Sequence, residues 1–397
     1  MKLSERIYNL SESATIAMAQ KSRDLKNRGY DVINLSLGEP DFNTPDFIKE
    51  AAKKAIDENY TFYMPVPGYM DLRESISDKF KRDNNLEYSP EQIVVSTGAK
   101  QSIANVVLSL VDKGDEVLLP APFWVTYHEI VKMAEGIPVI VPTDISTDFK
   151  VTPEILDKYI TPQTKLMIFS SPCNPSGSVY THEEMHALAE FFSSTYPNVF
   201  IISDEIYELI NFEGKHESLA QFPEIYPQTI TVNGVSKGFA MTGWRVGYIG
   251  APLEIAKACT KIQGQFTSGT CGIAQRAAKA AVEADPVLVS YMKQAFEKRR
   301  DLVLEHLTKI EGLKVNKPKG AFYVFPEVKA FFGKSFNGKT IQSASDLTMF
   351  LLEEALVACV TGEAFGSPDN IRISYAASES DLEEAMRRIA NALNKLS

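Results

Sequence analysis

Residues 236–247 read Ser236-Lys237-Gly238-Phe239-Ala240-Met241-Thr242-Gly243-Trp244-Arg245-Val246-Gly247, which places one lysine and one arginine eight positions apart among small residues. The amine of Lys237 can form a Schiff base with an aldehyde, and the planar guanidinium of Arg245 can bind a phosphate through parallel hydrogen bonds. The segment therefore predicts a site for a ligand that carries both an aldehyde and a phosphate.

Asp204 supplies a third part of such a site. It directly follows the apolar run 199–203, which predicts a buried strand. Pyridoxal phosphate carries an aldehyde and a phosphate, and a protein that holds it needs a lysine for the imine and an anionic partner for the ring nitrogen. The sequence therefore predicts a pyridoxal 5'-phosphate site that contains Lys237, Arg245 and Asp204.

The composition indicates a large globular protein with an acidic surface. The chain has 397 residues, of which 44% are hydrophobic, and this is ample for a large core and two domains. Its net charge of −10 argues against nucleic acid or an anionic membrane as a partner. The four cysteines lie far apart, and neither a signal peptide nor a membrane span is evident in the sequence, so we expect a cytoplasmic protein with reduced thiols.

Short apolar runs alternate with helical patterns through the middle of the chain. The strand candidates are 93–96, 116–119, 138–141, 166–170, 199–203, 229–233 and 245–250, and the helix candidates between them are 100–111, 126–134, 183–193 and 253–262. This alternation predicts an α/β fold with a mainly parallel sheet between helices. Ligands on such sheets bind at the carboxyl ends of the strands, and Gly98, Asn174, Asp204 and Lys237 all follow strand candidates.

The pattern changes near residue 285. A long helix is predicted from there to about 310, followed by a strand at 321–325, a helix at 345–356, a strand at 371–375 and a last helix capped by Ser378 with Asp381. Thr44 and Pro45 predict a helix start, with Thr44 as the N-cap. We therefore expect a large cofactor-binding domain at 45–285 and a smaller α+β domain formed by 1–44 and 286–397.

The order of motifs resembles that of the class I aminotransferases, which are fold-type I pyridoxal-phosphate enzymes, over nearly the whole chain. The resemblance is closest to bacterial aspartate aminotransferases with a compact N-terminus. Besides 234–247, it rests on Gly38-Glu39-Pro40-Asp41-Phe42, Tyr63 with Pro67-Gly68, Gly98-Ala99-Lys100-Gln101, Asn174-Pro175-Ser176-Gly177, Asp204-Glu205-Ile206-Tyr207 and Asn370-Ile371-Arg372-Ile373-Ser374. It implies a large domain with a mainly parallel seven-stranded sheet.

The resemblance also implies roles around the cofactor ring. Lys237 would hold the cofactor as a Schiff base and then act as the base that moves the substrate proton. Asp204 would pair with the ring nitrogen and keep it protonated, which makes the ring an acceptor of electrons. Asn174 and Tyr207 would donate hydrogen bonds to the phenolic oxygen of the ring.

Further residues would bind the ring face and the phosphate. Trp124 would stack on the ring. The backbone N–H groups of Ala99 and Lys100, after Gly98, would hold the phosphate at a strand-to-helix turn, and Arg245 would add charge there.

The substrate and the partner subunit account for the remaining residues. Arg372 would bind the substrate α-carboxylate in bidentate fashion, Gly38 would allow close approach of the backbone, and Trp124 and Asn174 would also line the substrate site. Tyr63 would reach the phosphate of a neighbouring subunit, which implies a homodimer with shared active sites.

Two departures from the family pattern concern the ligands. Gly234 replaces a serine of some members, which removes one hydroxyl from the phosphate site. The segment 264–270 lacks the arginine with which one subgroup binds the distal carboxylate of a dicarboxylic substrate. In the most similar subgroup a lysine and a threonine serve instead, and they correspond to Lys100 and Thr15. Aspartate with 2-oxoglutarate is therefore the expected pair, with prephenate, aromatic amino acids or alanine as alternatives.

Three other interpretations compete with transamination. His182-Glu183-Glu184-Met185-His186 matches the zinc-protease pattern, but a helix that begins after Thr181 with acidic residues in its first turn accounts for it equally simply. A β-lyase or decarboxylase could use the same cofactor and fold. A non-enzymatic cofactor-binding regulator would need a DNA-binding domain, for which this acidic chain shows no candidate.

Overall fold

The computed structural model describes residues 2–397. Its α-helices, in chain order, are α1 (Glu5–Asn9), α2 (Ala14–Asn27), α3 (Asp46–Asp57), α4 (Met70–Lys79), α5 (Ala99–Leu110), α6 (Thr126–Met133), α7 (Pro153–Leu156), α8 (His182–Thr195), α9 (Leu253–Phe266), α10 (Gly272–Glu283), α11 (Ser290–Leu307), α12 (Ala344–Phe350) and α13 (Glu379–Leu393). None of the helices among these residues is long and apolar enough to span a membrane.

A seven-stranded sheet forms the centre of the fold, as the sequence predicts. Its strands are β2 (Ile93–Ser96), β3 (Glu116–Pro120), β4 (Ile137–Val141), β5 (Thr164–Ser170), β6 (Phe200–Asp204), β7 (Thr229–Gly234) and β8 (Gly247–Gly250). Their spatial order is β2-β8-β7-β6-β5-β3-β4. All neighbouring pairs are parallel except those that involve β8, which runs against both β2 and β7.

Helices cover both faces of this sheet because successive side chains of a strand point in opposite directions. On β6, Ile202 belongs to an apolar cluster with Val106 of α5, whereas Ile201 belongs to a cluster on the other face with Leu188 of α8. Strands buried on both faces read as continuous apolar runs, which is why the sequence pattern located them.

The first and last parts of the chain form smaller sheets together. Strand β1 (Ile33–Asn34) pairs in parallel with β12 (Val357–Ala358), and β13 (Val360–Thr361), β14 (Ile371–Ser374) and β9 (Tyr323–Val324) form an antiparallel sheet. A hairpin of β10 (Ser335–Phe336) and β11 (Lys339–Thr340) completes the strands. The β1–β12 pairing is in keeping with a small domain built from both ends of the chain, and the boundaries at 45 and 285 stay a prediction.

Several predicted boundaries are wrong. The last strand of the large sheet begins at Gly247 rather than 245, because Arg245 has a left-handed backbone with φ of 57°. Thr44 does not cap α3, which begins at Asp46; its hydroxyl donates instead to the carbonyl oxygen of Ala240 at 2.7 Å.

The other differences lie in the C-terminal part of the chain. The turn Pro286–Val289 is a 3-10 helix, and α11 begins only at Ser290. Helix α12 ends at Phe350 and continues as a π-helical turn over Leu351–Ala355. The cap of the last helix is confirmed, since the Ser378 hydroxyl accepts a hydrogen bond from the backbone N–H of Asp381 at 3.1 Å.

Candidate active site

The candidate site lies at one edge of the large sheet, where the six strands that run in the same direction, β2 to β7, end. The segments that follow five of them, β2, β3, β5, β6 and β7, contribute to the site. Because β8 runs the opposite way, it begins at this edge, and Arg245 just before it lies there too.

These segments enclose a cavity of about 360 Å³. Eleven of the residues singled out from the sequence line it: Thr15, Gly38, Ala99, Lys100, Trp124, Asn174, Asp204, Tyr207, Lys237, Arg245 and Arg372. They come from positions spread over most of the chain, so the fold assembles the predicted site into one space.

Lys237 follows β7 by three residues and lines this cavity, where its side chain is partly buried. Its ammonium donates a hydrogen bond to the carbonyl oxygen of Gly38 at 2.5 Å. Burial, together with the positive charges of Arg372 and Arg245, lowers the pKa of Lys237 to about 8. Near neutral pH the neutral amine, which is the form that attacks an aldehyde, is therefore more populated at Lys237 than at an ordinary lysine.

Asp204, the last residue of β6, is buried with 4% exposure. Its Oδ2 accepts a hydrogen bond from the Tyr127 hydroxyl at 2.6 Å, and its Oδ1 accepts one from the backbone N–H of Ile206 at 3.2 Å. Burial raises the pKa of Asp204 to about 6, although both hydrogen bonds act to lower it. The carboxylate is thus poised to pair with a buried cation.

The turn from β2 into α5 forms an anion cradle. Gly98 has φ of 82°, and a Cβ there would collide with the Arg245 guanidinium, so only glycine admits this arginine against the turn. Ala99 begins α5, whose first N–H groups have no partner within the helix and carry partial positive charge. The helix end and Arg245 together suit a phosphate.

Arg372 is a buried cation that forms no ion pair with any carboxylate of the described residues. It lies on β14 with 2% exposure and donates to Asn174 Oδ1 at 2.9 Å and to the carbonyl oxygen of Ser36 at 2.6 Å, whereas its Nε has no hydrogen-bond partner within residues 2–397. Burial lowers the pKa of Arg372. A buried guanidinium held only by neutral acceptors is costly unless a ligand supplies the negative charge.

Lys100 adds a further positive charge at the cavity wall. Its Nζ lies 5.1 Å from the centre of the Trp124 ring, and no carboxylate among residues 2–397 forms an ion pair with it. Burial, followed by the charge of Arg245, lowers the pKa of Lys100. Thr15 also lines the cavity, and its hydroxyl together with the charge of Lys100 suits a second anionic group.

The profile of the family described as "Aminotransferase class I and II" matches residues 30–389. The chain belongs to this aminotransferase family. The aspartate aminotransferase of Geobacillus stearothermophilus is 46% identical over 394 residues, which are 98% of each protein. The aspartate/prephenate aminotransferase of Cereibacter sphaeroides is 45% identical over 390 residues, covering 98% of this chain and 97% of that protein.

Solved structures of aminotransferases share the whole fold. The crystal structure of the aspartate aminotransferase from Rhizobium meliloti superposes with a TM-score of 0.96 at 40% identity and covers 100% of both chains. The aspartate aminotransferase from Thermus thermophilus with maleate gives 0.92 at 39% identity, covering 99% of this chain and 100% of that one. The fold-type I class predicted from the sequence is thus confirmed, and the protein is an aminotransferase.

Two of the predicted residues do not line this aminotransferase cavity. Gly98 acts through its backbone, next to Arg245. Tyr63 is 97% exposed in the loop between α3 and α4, so within one subunit it contacts no part of the cavity. Its role at a neighbouring subunit stays a prediction.

Sequence reasoning missed several residues at the site. Tyr127 and Tyr323 line the cavity, as do Ser13, Ile16 and Glu39. Tyr127 follows Trp124 by three residues at the start of α6, which places both near the same strand end and could have indicated it. Tyr323 reaches the cavity from β9, a two-residue strand whose partner β14 carries Arg372, and local sequence carries no signal for that contact.

The His182–His186 motif has the structure expected of a capped helix. Thr181 accepts a hydrogen bond from the backbone N–H of Glu184, and the Glu184 side chain accepts one from the N–H of Thr181, which completes a capping box. His182 is more than half exposed, and its Nδ1 lies 2.9 Å from Glu217.

A group of side chains whose atoms lie close enough together to bind a metal ion occurs away from the His182–His186 motif. Within the part that the structure describes, Glu205, Glu208 and His216 are the group with suitable spacing. The ammonium of Lys79 pairs with Glu208 there, so this group already holds a cation.

Proposed function

We propose that the chain transfers the amino group of L-aspartate to 2-oxoglutarate, giving oxaloacetate and L-glutamate, with pyridoxal 5'-phosphate held by Lys237 as a Schiff base. The observation that carries the proposal is Arg372, a buried guanidinium that has no carboxylate partner in the described part of the chain. It lines the same cavity as Lys237, whose pKa is lowered. An α-carboxylate at Arg372 places the adjoining amino group and α-carbon within the cavity that Lys237 enters.

The residues of the cavity suit the cofactor on three counts. The α5 N-terminus and Arg245 offer a phosphate site, Asp204 offers a buried carboxylate for the ring nitrogen, and Lys237 offers an amine. When bound, the cofactor supplies an electron sink for the electrons left on the substrate α-carbon. Tyr207 and Asn174, both in the cavity wall, can donate to its phenolic oxygen.

Lys237 would have a second task in the proposed reaction. As a free amine it would take the proton from the substrate α-carbon and give it back later in the transfer. A pKa of about 8 suits both the uptake and the release of a proton near neutral pH, because the two protonation states of the amine then differ little in free energy. The Gly38 carbonyl oxygen, 2.5 Å from Nζ, orients the amine.

Lys100 and Thr15 support a dicarboxylic substrate. They line the same cavity as Arg372, and Lys100 has a positive charge without an ion-pair partner among the described residues. The Thermus thermophilus relative was solved with maleate, which is a dicarboxylate. A lysine is a mobile point charge and discriminates less by shape than an arginine does. Prephenate is the second candidate substrate, since relatives such as that of Cereibacter sphaeroides are named for it.

A homodimer with shared active sites is part of the proposal. Phe62, Tyr63 and Phe266 are 77%, 97% and 70% exposed, which is unusual for aromatic side chains. The loop that carries Phe62 and Tyr63 lies against helix α9, which ends at Phe266, because Gln263 Nε2 of α9 donates to the Val66 carbonyl oxygen at 2.8 Å. A second subunit that covers this surface would bury the aromatic rings and receive Tyr63. The four free cysteines suit a cytoplasmic protein.

Borohydride reduction of the purified enzyme, followed by peptide mapping, tests the cofactor assignment. We expect the pyridoxyl group on Lys237, and Lys100, the other lysine of the cavity wall, serves as an internal control. A label on Lys100 would refute the assignment. Amino acids are then compared against 2-oxoglutarate in half-reactions followed by the colour of the cofactor. Faster reaction of alanine or an aromatic amino acid than of aspartate would overturn the substrate proposal.

A further inference from the structure

Tyr323 lines the cavity and lies close to Tyr207, Arg372 and Gly38. Its hydroxyl oxygen lies 2.7 Å from the Tyr207 hydroxyl, and its ring centre lies 4.5 Å from the Arg372 guanidinium carbon. A Cβ on Gly38 would come within 2.6 Å of its hydroxyl. The side chain is fully buried, so each of these contacts is made away from water. Packing alone does not require the hydroxyl, since a phenylalanine would fill the same volume apart from one atom.

The hydroxyl groups of Tyr207 and Tyr323 have one proton each to donate in hydrogen bonds. Each hydroxyl donates once, and either oxygen can be the donor in the contact between them. If Tyr207 donates its proton to the phenolic oxygen of the cofactor, its own oxygen is left as an acceptor toward Tyr323. Tyr323 then has to be the donor. The order of donation becomes Tyr323 to Tyr207 to the cofactor oxygen.

We propose that Tyr323 is a positioning residue that fixes the direction of the Tyr207 proton and thereby sets the pH at which the Schiff base at Lys237 loses its proton. This inference rests on the proposed function of Lys237 and Tyr207. A phenol that itself accepts a hydrogen bond is polarised and becomes a stronger donor. A stronger donor draws charge from the cofactor oxygen, which then holds the neighbouring imine proton less tightly. The imine therefore loses its proton at a lower pH with Tyr323 than without it.

Tyr323→Phe tests this with little disturbance, because the ring that contacts Arg372 is kept. The absorbance of the bound cofactor is titrated against pH without substrate, so the measurement does not depend on turnover. We expect the midpoint of Tyr207→Phe to rise by about 1–2 pH units, the scale of a hydrogen bond to a charged group. We expect Tyr323→Phe to raise it by about 0.1–0.6 units, because polarisation alters a bond by roughly 10–30%.

The double variant separates a positioning role from a general structural one. If Tyr323 acts through Tyr207, adding Tyr323→Phe to Tyr207→Phe should leave the midpoint where it is. Tyr375→Phe is the matched control, because it removes another fully buried hydroxyl, one that donates to the carbonyl oxygen of Ala321 at 3.3 Å, outside the cavity. It should not shift the midpoint.

Two results would overturn the inference. One is an unchanged midpoint in Tyr323→Phe, and the other is an equal shift in the presence and absence of the Tyr207 hydroxyl. Failure of the proposed function is distinguishable from both. In that case the wild-type protein takes up no coloured cofactor at Lys237, or Tyr207→Phe itself leaves the titration unchanged.

Discussion

The hydrogen bond from Tyr127 to Asp204 offers a quantitative test of the cofactor site. Tyr127→Phe removes the phenol oxygen that lies 2.6 Å from Asp204 Oδ2 and leaves the rest of the ring in place. Both side chains are buried, with exposures of 1% and 4%, so water does not readily replace the lost donor. A hydrogen bond to a charged group contributes about 1.5–3 kcal/mol, which corresponds to a rise of about 1–2 units in the pKa of the carboxyl.

The direction of the pH effect follows from the raised pKa of Asp204. This pKa is about 6 in the folded protein. Above that value the carboxylate is charged and can pair with a protonated ring nitrogen, and below it the pair is lost. Cofactor binding should therefore weaken as the pH falls through about 6 in the wild-type protein. In Tyr127→Phe the weakening should begin about 1–2 units higher, near neutral pH.

The unliganded protein gives an independent check of the same shift. Because the folded pKa of Asp204 lies above its ordinary value of 3.8, the folded state binds this proton more tightly than the unfolded state. The contribution of Asp204 to stability is therefore greatest at low pH and falls as the pH rises from 3.8 to about 6. In Tyr127→Phe the fall should continue to about pH 7–8 and lower the unfolding temperature there.

The assay is the dissociation constant of pyridoxal phosphate at pH 5.5 to 8.5, together with thermal unfolding of the cofactor-free protein over the same range. Tyr88→Phe serves as the control, because the buried Tyr88 hydroxyl lies 3.0 Å from Thr231 Oγ1 and outside the cavity. If Tyr127→Phe follows the wild-type pH dependence in both measurements, the hydroxyl does not hold Asp204 in its charged form and the reasoning fails.

Three further predictions concern the other residues of the site. Lys100→Ala should reduce kcat/KM for aspartate more than for alanine, by about 1–3 kcal/mol of transition-state binding, and an equal loss for both would show that Lys100 does not contact the distal carboxylate. Asp204→Ala should lower kcat by several orders of magnitude in single-turnover measurements, because the ring nitrogen loses the partner that keeps it protonated; near-normal turnover would exclude that role. Tyr63→Phe should bind the cofactor less tightly. When inactive Tyr63→Ala and inactive Lys237→Ala enzymes are mixed, hybrid dimers should regain activity. A fully active monomer in sedimentation would contradict a shared site.

The sequence predicts the large sheet well because its strands are buried on both faces. Short, mostly apolar runs such as 199–203 are typical of strands buried on both faces. The observed strand Phe200–Asp204 differs from this predicted range by a single position at each end. The error at Arg245 has a local cause. Val246 to Gly250 is apolar enough to suggest a longer strand, but Arg245 has a left-handed backbone, which no pattern of hydrophobicity records.

The polar contacts of the site could be predicted only in part. Lys237 and Arg245 belong to one short segment whose chemistry is evident from the side chains. The partners that adjust the pKa of the site come from distant positions: Tyr127 is 77 residues from Asp204, and Tyr323 is 116 residues from Tyr207. Such contacts depend on how helices and strands pack, and a single sequence does not encode that packing in any local pattern.

The parallel pairing of β1 with β12 bears on how the protein is made. The large sheet, Lys237 and Arg245 are complete once Gly250 has been synthesised, whereas Arg372 and the strand that fixes Ile33–Asn34 come from the last part of the chain. Domains generally fold as units during synthesis, the N-terminal one first. A nascent chain that has reached Gly250 has the groups proposed to hold a cofactor but not Arg372, the proposed anchor for the α-carboxylate of an amino acid. A product of translation that stops before residue 372 would lack that anchor.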